Sequence, residues 1–133
     1  MKNTFYLSLF FCLALISCSD NAVSPKMLEG SYEGIFIMTC TDCTPQSTDV
    51  VLDFDNSQFT GSSNSRNLPA IGTGAFSIKE NNIQFTNASF WTADFDWSLI
   101  LDGNYKCTFK EETLQLERKL GKHTYTYQLK KIK

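Results

Sequence analysis

The sequence predicts an all-β domain, an antiparallel meander of about eight strands closing into a small barrel, with a β-sandwich as the alternative. Three observations predict it. Apolar residues recur with period two in segment after segment, and no window carries a convincing helical period. Short turn-forming clusters separate these segments at close intervals, as hairpin connections do. About 105 residues follow the amino-terminal leader and tether, a length suited to one domain, and closing the sheet removes the exposed edges that a many-stranded meander would otherwise carry.

Taken in order, the alternation assigns inward faces. SYEGIFIMTC places Tyr32, Phe36, Met38 and Cys40 on one side, and DVVLDFD does the same for Val50, Leu52 and Phe54. QFTGS, GAFSIKE with Phe76 and Ile78, and NIQFTN with Ile83 and Phe85 continue the pattern. Towards the carboxyl end, Tyr105, Cys107 and Phe109 alternate with Lys106, Thr108 and Lys110. Leu114 and Leu116 alternate with Gln115 and Glu117, and Tyr125, Tyr127 and Leu129 with Thr124, Thr126, Gln128 and Lys130. Turns are expected at Asp55, Glu80, Lys110 and Leu120. Asp102-Gly103 reads as a type I′ hairpin, which needs positive φ at both centres. Ser62 to Gly74 is the one long connection expected, and its apolar LPAI, with Leu68 and Ile71, suits a flap over one barrel mouth.

Between these lies SFWTADFDWSLILDGNY, the most aromatic stretch of the chain. As a strand it would put Trp91, Ala93, Phe95, Trp97, Leu99 and Leu101 on one face and Asp94 and Asp96 on the other. The leading reading is therefore a core strand with a solvated acidic face. The rival is a ligand platform, in which Trp91, Phe95 and Trp97, with Leu68 and Ile71 from the long loop, contact a ligand or partner.

The amino terminus gives an address. Met1-Lys2-Asn3 is followed by TFYLSLFFCLALIS, an apolar run of signal-peptide length that is short for a bilayer span. It ends in LISC, which has the spacing of a bacterial lipobox: Leu15, a small Ser17, and Cys18 to carry lipid through its sulfur. The expectation is a signal peptide over 1–17, an acylated tether over 18–28 and the barrel over 29–133. Two or more acyl chains hold a membrane firmly where one grips weakly, so the membrane is the expected partner through Cys18. The expected location is the bacterial cell envelope, anchored to the outer membrane. Surface-facing and periplasm-facing orientations both stay open.

Net charge is −2, and becomes −3 when Lys2 leaves with the leader. That balance offers no basic face for nucleic acid; the final KKIK is a solvated strand end. Three other cysteines remain in the mature chain, in a compartment where disulfides persist. Cys40 and Cys43, in TCTDCT, are expected to bridge, with Cys40 to Cys107 as the alternative. Cys107 otherwise reads as a small buried hydrophobe. A zinc site from these cysteines and His123, the only histidine, lacks a second close pair, so no metal and no cofactor are expected. No serine elbow, HExxH motif or phosphate loop appears, and no catalytic residue is assigned. The aspartate pairs Asp53/Asp55 and Asp94/Asp96 read as solvated positions.

LEGSYEGIF, VVLDF, FTGSS, LPAIGTGAFSI, NNIQFTNASFWTADFDWSLILDGNY and YTYQLKK together resemble a group of small lipocalin-like lipoproteins of Bacteroidetes that carry no agreed activity. The resemblance spans nearly all of the mature domain, and WTADFDW is its most specific part. It implies a lipocalin-like barrel and an envelope address, and transfers no catalytic residue. Relatives carry cysteines where this chain has Gly72 and Ser89, so the resemblance implies a loop-to-strand staple that is missing here. The function expected is a non-catalytic, membrane-anchored binding module, with a small apolar ligand held where Gly34, Ala75 and Ala93 leave room. The alternative is a protein–protein interaction module, such as a protease inhibitor or an envelope assembly accessory.

Overall fold

A computed structural model describes residues 22–66 and 68–133. One helical turn, α1 (Pro25–Leu28), leads into eight strands: β1 (Gly30–Cys40), β2 (Gln46–Asp55), β3 (Gln58–Ser63), β4 (Gly72–Lys79), β5 (Asn82–Asn87), β6 (Gly103–Lys110), β7 (Thr113–Leu120) and β8 (His123–Lys131). Each strand pairs antiparallel with the next, and β8 returns to β1 in a closed lipocalin-like barrel. Register follows the alternation. Tyr32 faces Leu52 across β1–β2, Phe76 faces Phe85 across β4–β5, and Leu116 faces Tyr127 across β7–β8.

The interior is filled by side chains. Tyr32, Phe36, Leu52, Phe59, Phe85, Leu114, Leu116 and Tyr127 are each no more than 2 % exposed. A continuous run of rings, Phe36 to Tyr127 to Tyr105 to Phe85 to Phe54 to Tyr32, has successive centroids 4.9 to 6.3 Å apart. Tilted and edge-on pairs of this kind add modestly to the burial they share. Met38, Ile78 and Phe109 pack against this core at its margins. Burial of these rings and aliphatic chains is the main force holding the barrel closed.

The two ends differ. At one end lie α1, the C-terminus and three tight hairpins, at Asn56-Ser57, Glu80-Asn81 and Glu111-Glu112. Val23 and Leu28 are 7 % and 0 % exposed and belong to the core. Part of the segment expected as tether therefore packs on the barrel, because Leu28 has an apolar site to fill. Residues 1–21, including the expected signal peptide and Cys18, lie outside the described residues.

The opposite end carries the β1–β2 loop, the β7–β8 turn and two longer connections, 64–71 and 88–102. Three expectations change here. The aromatic stretch is not a strand: β5 pairs directly with β6 (Ile83↔Tyr105, Phe85↔Gly103), so the barrel closes without it and offers it no free edge. Local bonds take over instead. Phe95 N–H reaches Thr92 O at 3.1 Å, and Asp96 caps a 3₁₀ turn, Trp97–Leu99. Asp102-Gly103 accordingly opens β6 rather than joining two strands, with Gly103 at φ 84°. The long loop between Ser62 and Gly74 is trimmed from both sides, since β3 runs to Ser63 and β4 starts at Gly72.

Candidate functional site at the barrel mouth

The two long connections are sewn together over the mouth. Ala70 and Ile100 form a parallel bridge, with Ala70 N–H donating to Leu99 O (3.0 Å) and Leu101 N–H donating to Ala70 O (2.8 Å). Ala70, Ile71, Ile100 and Leu101 are buried beneath it, and Pro69 is buried beside them. LPAI therefore does fold over the mouth. Ile71 is 2 % exposed and belongs to the core, while Leu68 is half-buried against it. Of these two expected contact residues, Ile71 is withdrawn from any partner and Leu68 keeps only part of its surface exposed.

Asn87, at the end of β5, holds both connections. Its Nδ2 donates to Ile71 O (2.6 Å) and Leu101 O (3.2 Å), and its Oδ1 accepts from Ser89 N–H (3.0 Å) and Trp91 Nε1–H (3.1 Å). Its own N–H donates to Asp102 Oδ1 (2.8 Å). Nothing in the sequence singles out this asparagine, which reads there only as a turn residue after NIQFT. Close by, Thr73 N–H donates to Ser89 Oγ at 2.9 Å. Gly72 has φ 64°, and a Cβ placed there would meet Ser89 Cβ at 2.9 Å and Trp91 Cζ2 at 3.0 Å, so glycine is needed for both its conformation and its size. Gly72 and Ser89 are thus close neighbours, and the hydrogen bond to Ser89 Oγ comes from the next residue, Thr73.

Deeper in, Arg118 of β7 lies over the Tyr105 ring at 5.8 Å and donates to Asp102 O at 2.7 Å. Burial pushes the Tyr105 hydroxyl up to about 12, with the Arg118 guanidinium opposing the shift. Tyr125 hydroxyl donates to Ser98 Oγ (3.2 Å), tying the 3₁₀ turn to β8.

Outside this latch the aromatic loop presents its rings. Phe90 is fully exposed at 103 % and Trp97 is 63 % exposed, which overturns Trp97 as a core residue. Trp91 and Phe95 are half-buried, with centroids 5.3 Å apart and planes tilted by 44°. Asp96 Oδ1 accepts from Ser98 N–H (3.0 Å) and Ser98 Oγ–H (2.6 Å). Asp94 is exposed, and a hydrogen bond from the Thr92 side chain holds its carboxyl below the usual value. Rings and carboxylates therefore share one loop surface, which strand geometry would have forbidden. Between this loop and Arg66 lies an open cleft of about 670 Å³, and a smaller hollow of about 140 Å³ adjoins it at Trp97, Ser89 and Asp102.

The remaining expected residues are placed elsewhere. Cys40, the last residue of β1, is joined in a disulfide to Cys43 of the β1–β2 loop, their Cα atoms 5.5 Å apart. Cys107 is a free thiol in the core, and burial pushes its pKa up to about 11. His123 starts β8 opposite Cys40, so the zinc constellation is not assembled: two of its sulfurs bond each other and the third lies inside the barrel. Asp53 and Asp55 lie exposed along β2. Comparison with protein families, curated proteins and solved structures returns no match to the chain.

Proposed function

We propose that this protein is a non-catalytic, lipid-anchored binding module of the bacterial envelope whose contact surface is the aromatic loop 88–102 rather than the barrel interior. The observation that carries the reading is the exposure of Phe90 and Trp97 on a loop whose base is fixed by Asn87. Two large rings left in water at one loop, on an otherwise well-packed small domain, are the kind of feature that marks a contact site. The packed run of rings inside the barrel leaves less support for a lumenal apolar ligand.

The anchor gives the loop a direction. Cys18 lies five residues before Val23, which packs with α1 at the end opposite the loop. Five residues span at most about 17 Å, so an acyl chain on Cys18 would hold that end near the membrane and turn the loop away from it. A protein partner is the second reading, favoured by Phe90, whose whole ring is available to enter a partner's pocket.

A photo-crosslinking amino acid placed at Phe90 or Trp97 in growing cells tests the reading, with Lys110 at the other end as control. Covalent adducts to an envelope component other than the anchoring membrane's own lipid are expected from the two mouth positions and not from Lys110. Adducts from all three positions, or from Lys110 alone, would remove the loop as the contact surface. Trp97→Ala and Phe90→Ala proteins should melt within about a degree of the parent, as exposed substitutions do, while losing that partner.

A further inference from the structure

The geometry points to a neutral carbohydrate as the ligand of the cleft between Arg66 and the aromatic loop, an assignment that rests on the binding-module reading above. The cleft is lined by Arg66, Phe90, Trp91, Asp94, Phe95 and Asp96, among others, and its volume of about 670 Å³ falls within the range of small-molecule sites.

The lining discriminates between ligand classes. A purely apolar ligand would cover Asp94 and Asp96 and strip water from two carboxylates without replacing their hydrogen bonds, which is costly. An anionic ligand would face those two carboxylates with a single guanidinium, Arg66, in its favour. A cationic peptide suits the rings and carboxylates but meets Arg66 at the same cleft. A neutral sugar avoids all three penalties. Its C–H face lies on an aromatic ring, and its hydroxyls donate to the aspartates and accept from the guanidinium, in charge-assisted bonds stronger than neutral ones.

The parts are also held ready. Trp91 Nε1–H is bonded to Asn87 Oδ1, so the indole is locked before any ligand arrives, and Phe95 packs against it at 5.3 Å. Fixing a contact residue in advance lowers the ordering cost of binding. Asp94 is ionised and exposed, and among the described residues it has no ion-pair partner. Asp96 spends one oxygen, Oδ1, on both Ser98 bonds, which leaves acceptor capacity at Oδ2.

The test uses the full-length protein, purified in a detergent without a sugar headgroup and applied to an array of neutral oligosaccharides. Hits are then titrated by tryptophan fluorescence and calorimetry. Binding to at least one neutral oligosaccharide is expected. Its affinity should be unchanged between about 0.05 and about 0.5 M salt, a range over which charge–charge attraction is heavily screened. Asp94→Ala and Phe90→Ala should each weaken it at least tenfold at unchanged melting temperature, and Lys110→Ala should leave it intact. No binding on the array, or binding indifferent to both mouth substitutions, overturns the assignment. A lysine- and arginine-rich decapeptide is titrated in parallel. If it binds, weakens with salt and is lost in Asp94→Ala, the ligand is a basic peptide: the carbohydrate assignment fails while the loop remains the contact surface.

Discussion

Asn87 is a single residue on which the architecture of the mouth depends. Its amide donates to two carbonyls, Ile71 O and Leu101 O, on segments that are themselves buried, and its carbonyl orients the Trp91 indole. Truncation to alanine leaves two acceptors, Ile71 O and Leu101 O, and two donors, Ser89 N–H and the Trp91 indole, without their partner. Each such loss at a buried group costs about 1–3 kcal/mol, less where water can reach in. Asn87→Ala is therefore expected to lower the melting temperature clearly and to open the 88–102 loop to limited proteolysis ahead of the barrel. A variant that melts like the parent and is cut no faster would show that the Ala70–Ile100 bridge and the other ties hold the mouth without Asn87. None of this was visible in the sequence, because an asparagine between a strand and a loop has many uses and the two carbonyls it donates to lie 14 and 16 residues away. Trp97 teaches the converse lesson. Alternation alone placed it inside, but alternation does not say whether a neighbouring strand has a free edge, and here β5 and β6 had already paired.

Among the elements, the strands were the legible part, and the reason is steric. In β2, β6 and β8 the residues assigned inward, from Val50 to Leu129, are the ones found buried, with Phe109 half-buried at the rim, because a barrel wall forces period two on every strand. Turns were legible in place but not in kind. The β6–β7 hairpin turns at Glu111-Glu112, with φ of 50° and 64°, although glutamate gains nothing from the left-handed region. A non-glycine residue there carries a conformational cost of about 1–2 kcal/mol. Glu111→Asn combined with Glu112→Gly supplies the residues this turn prefers and keeps the backbone carbonyl of position 112, which accepts from Lys131 N–H at 2.8 Å. The double variant is expected to gain about 1 kcal/mol after the extra flexibility of glycine in the unfolded chain is set against it. For a domain of this size that raises the melting temperature by roughly 4–8 °C. An unchanged or lower urea midpoint would show that the two glutamates contribute something the backbone angles do not reveal.

At the scale of the whole molecule, a barrel packed with tyrosine and a thiol has a defined weakness towards base. Burial raises Tyr32 and Tyr105 from 10.0 to about 12, raises Cys107 from 9.0 to about 11, and raises Tyr127 well above its ordinary value. Each is an acid whose neutral form the fold prefers, so the folded pKa lies above the unfolded one. The stability it contributes is fully present below the unfolded value and is lost as pH rises through the folded one. For Cys107 that window runs from 9.0 to about 11, and for Tyr32 and Tyr105 from 10.0 to about 12. Through these groups the urea midpoint should be level up to about pH 8.5 and fall progressively above it, as linkage requires. The phenolate band should appear late and together with loss of the folded signal. Replacing Cys107 by alanine should remove the earliest part of the fall while leaving the later tyrosine-driven part, although the smaller side chain will lower the midpoint at every pH. If Tyr32 and Tyr105 instead ionise near pH 10 while the barrel remains folded, water reaches their hydroxyls, and the packed interior that argues against a lumenal ligand would have to be given up.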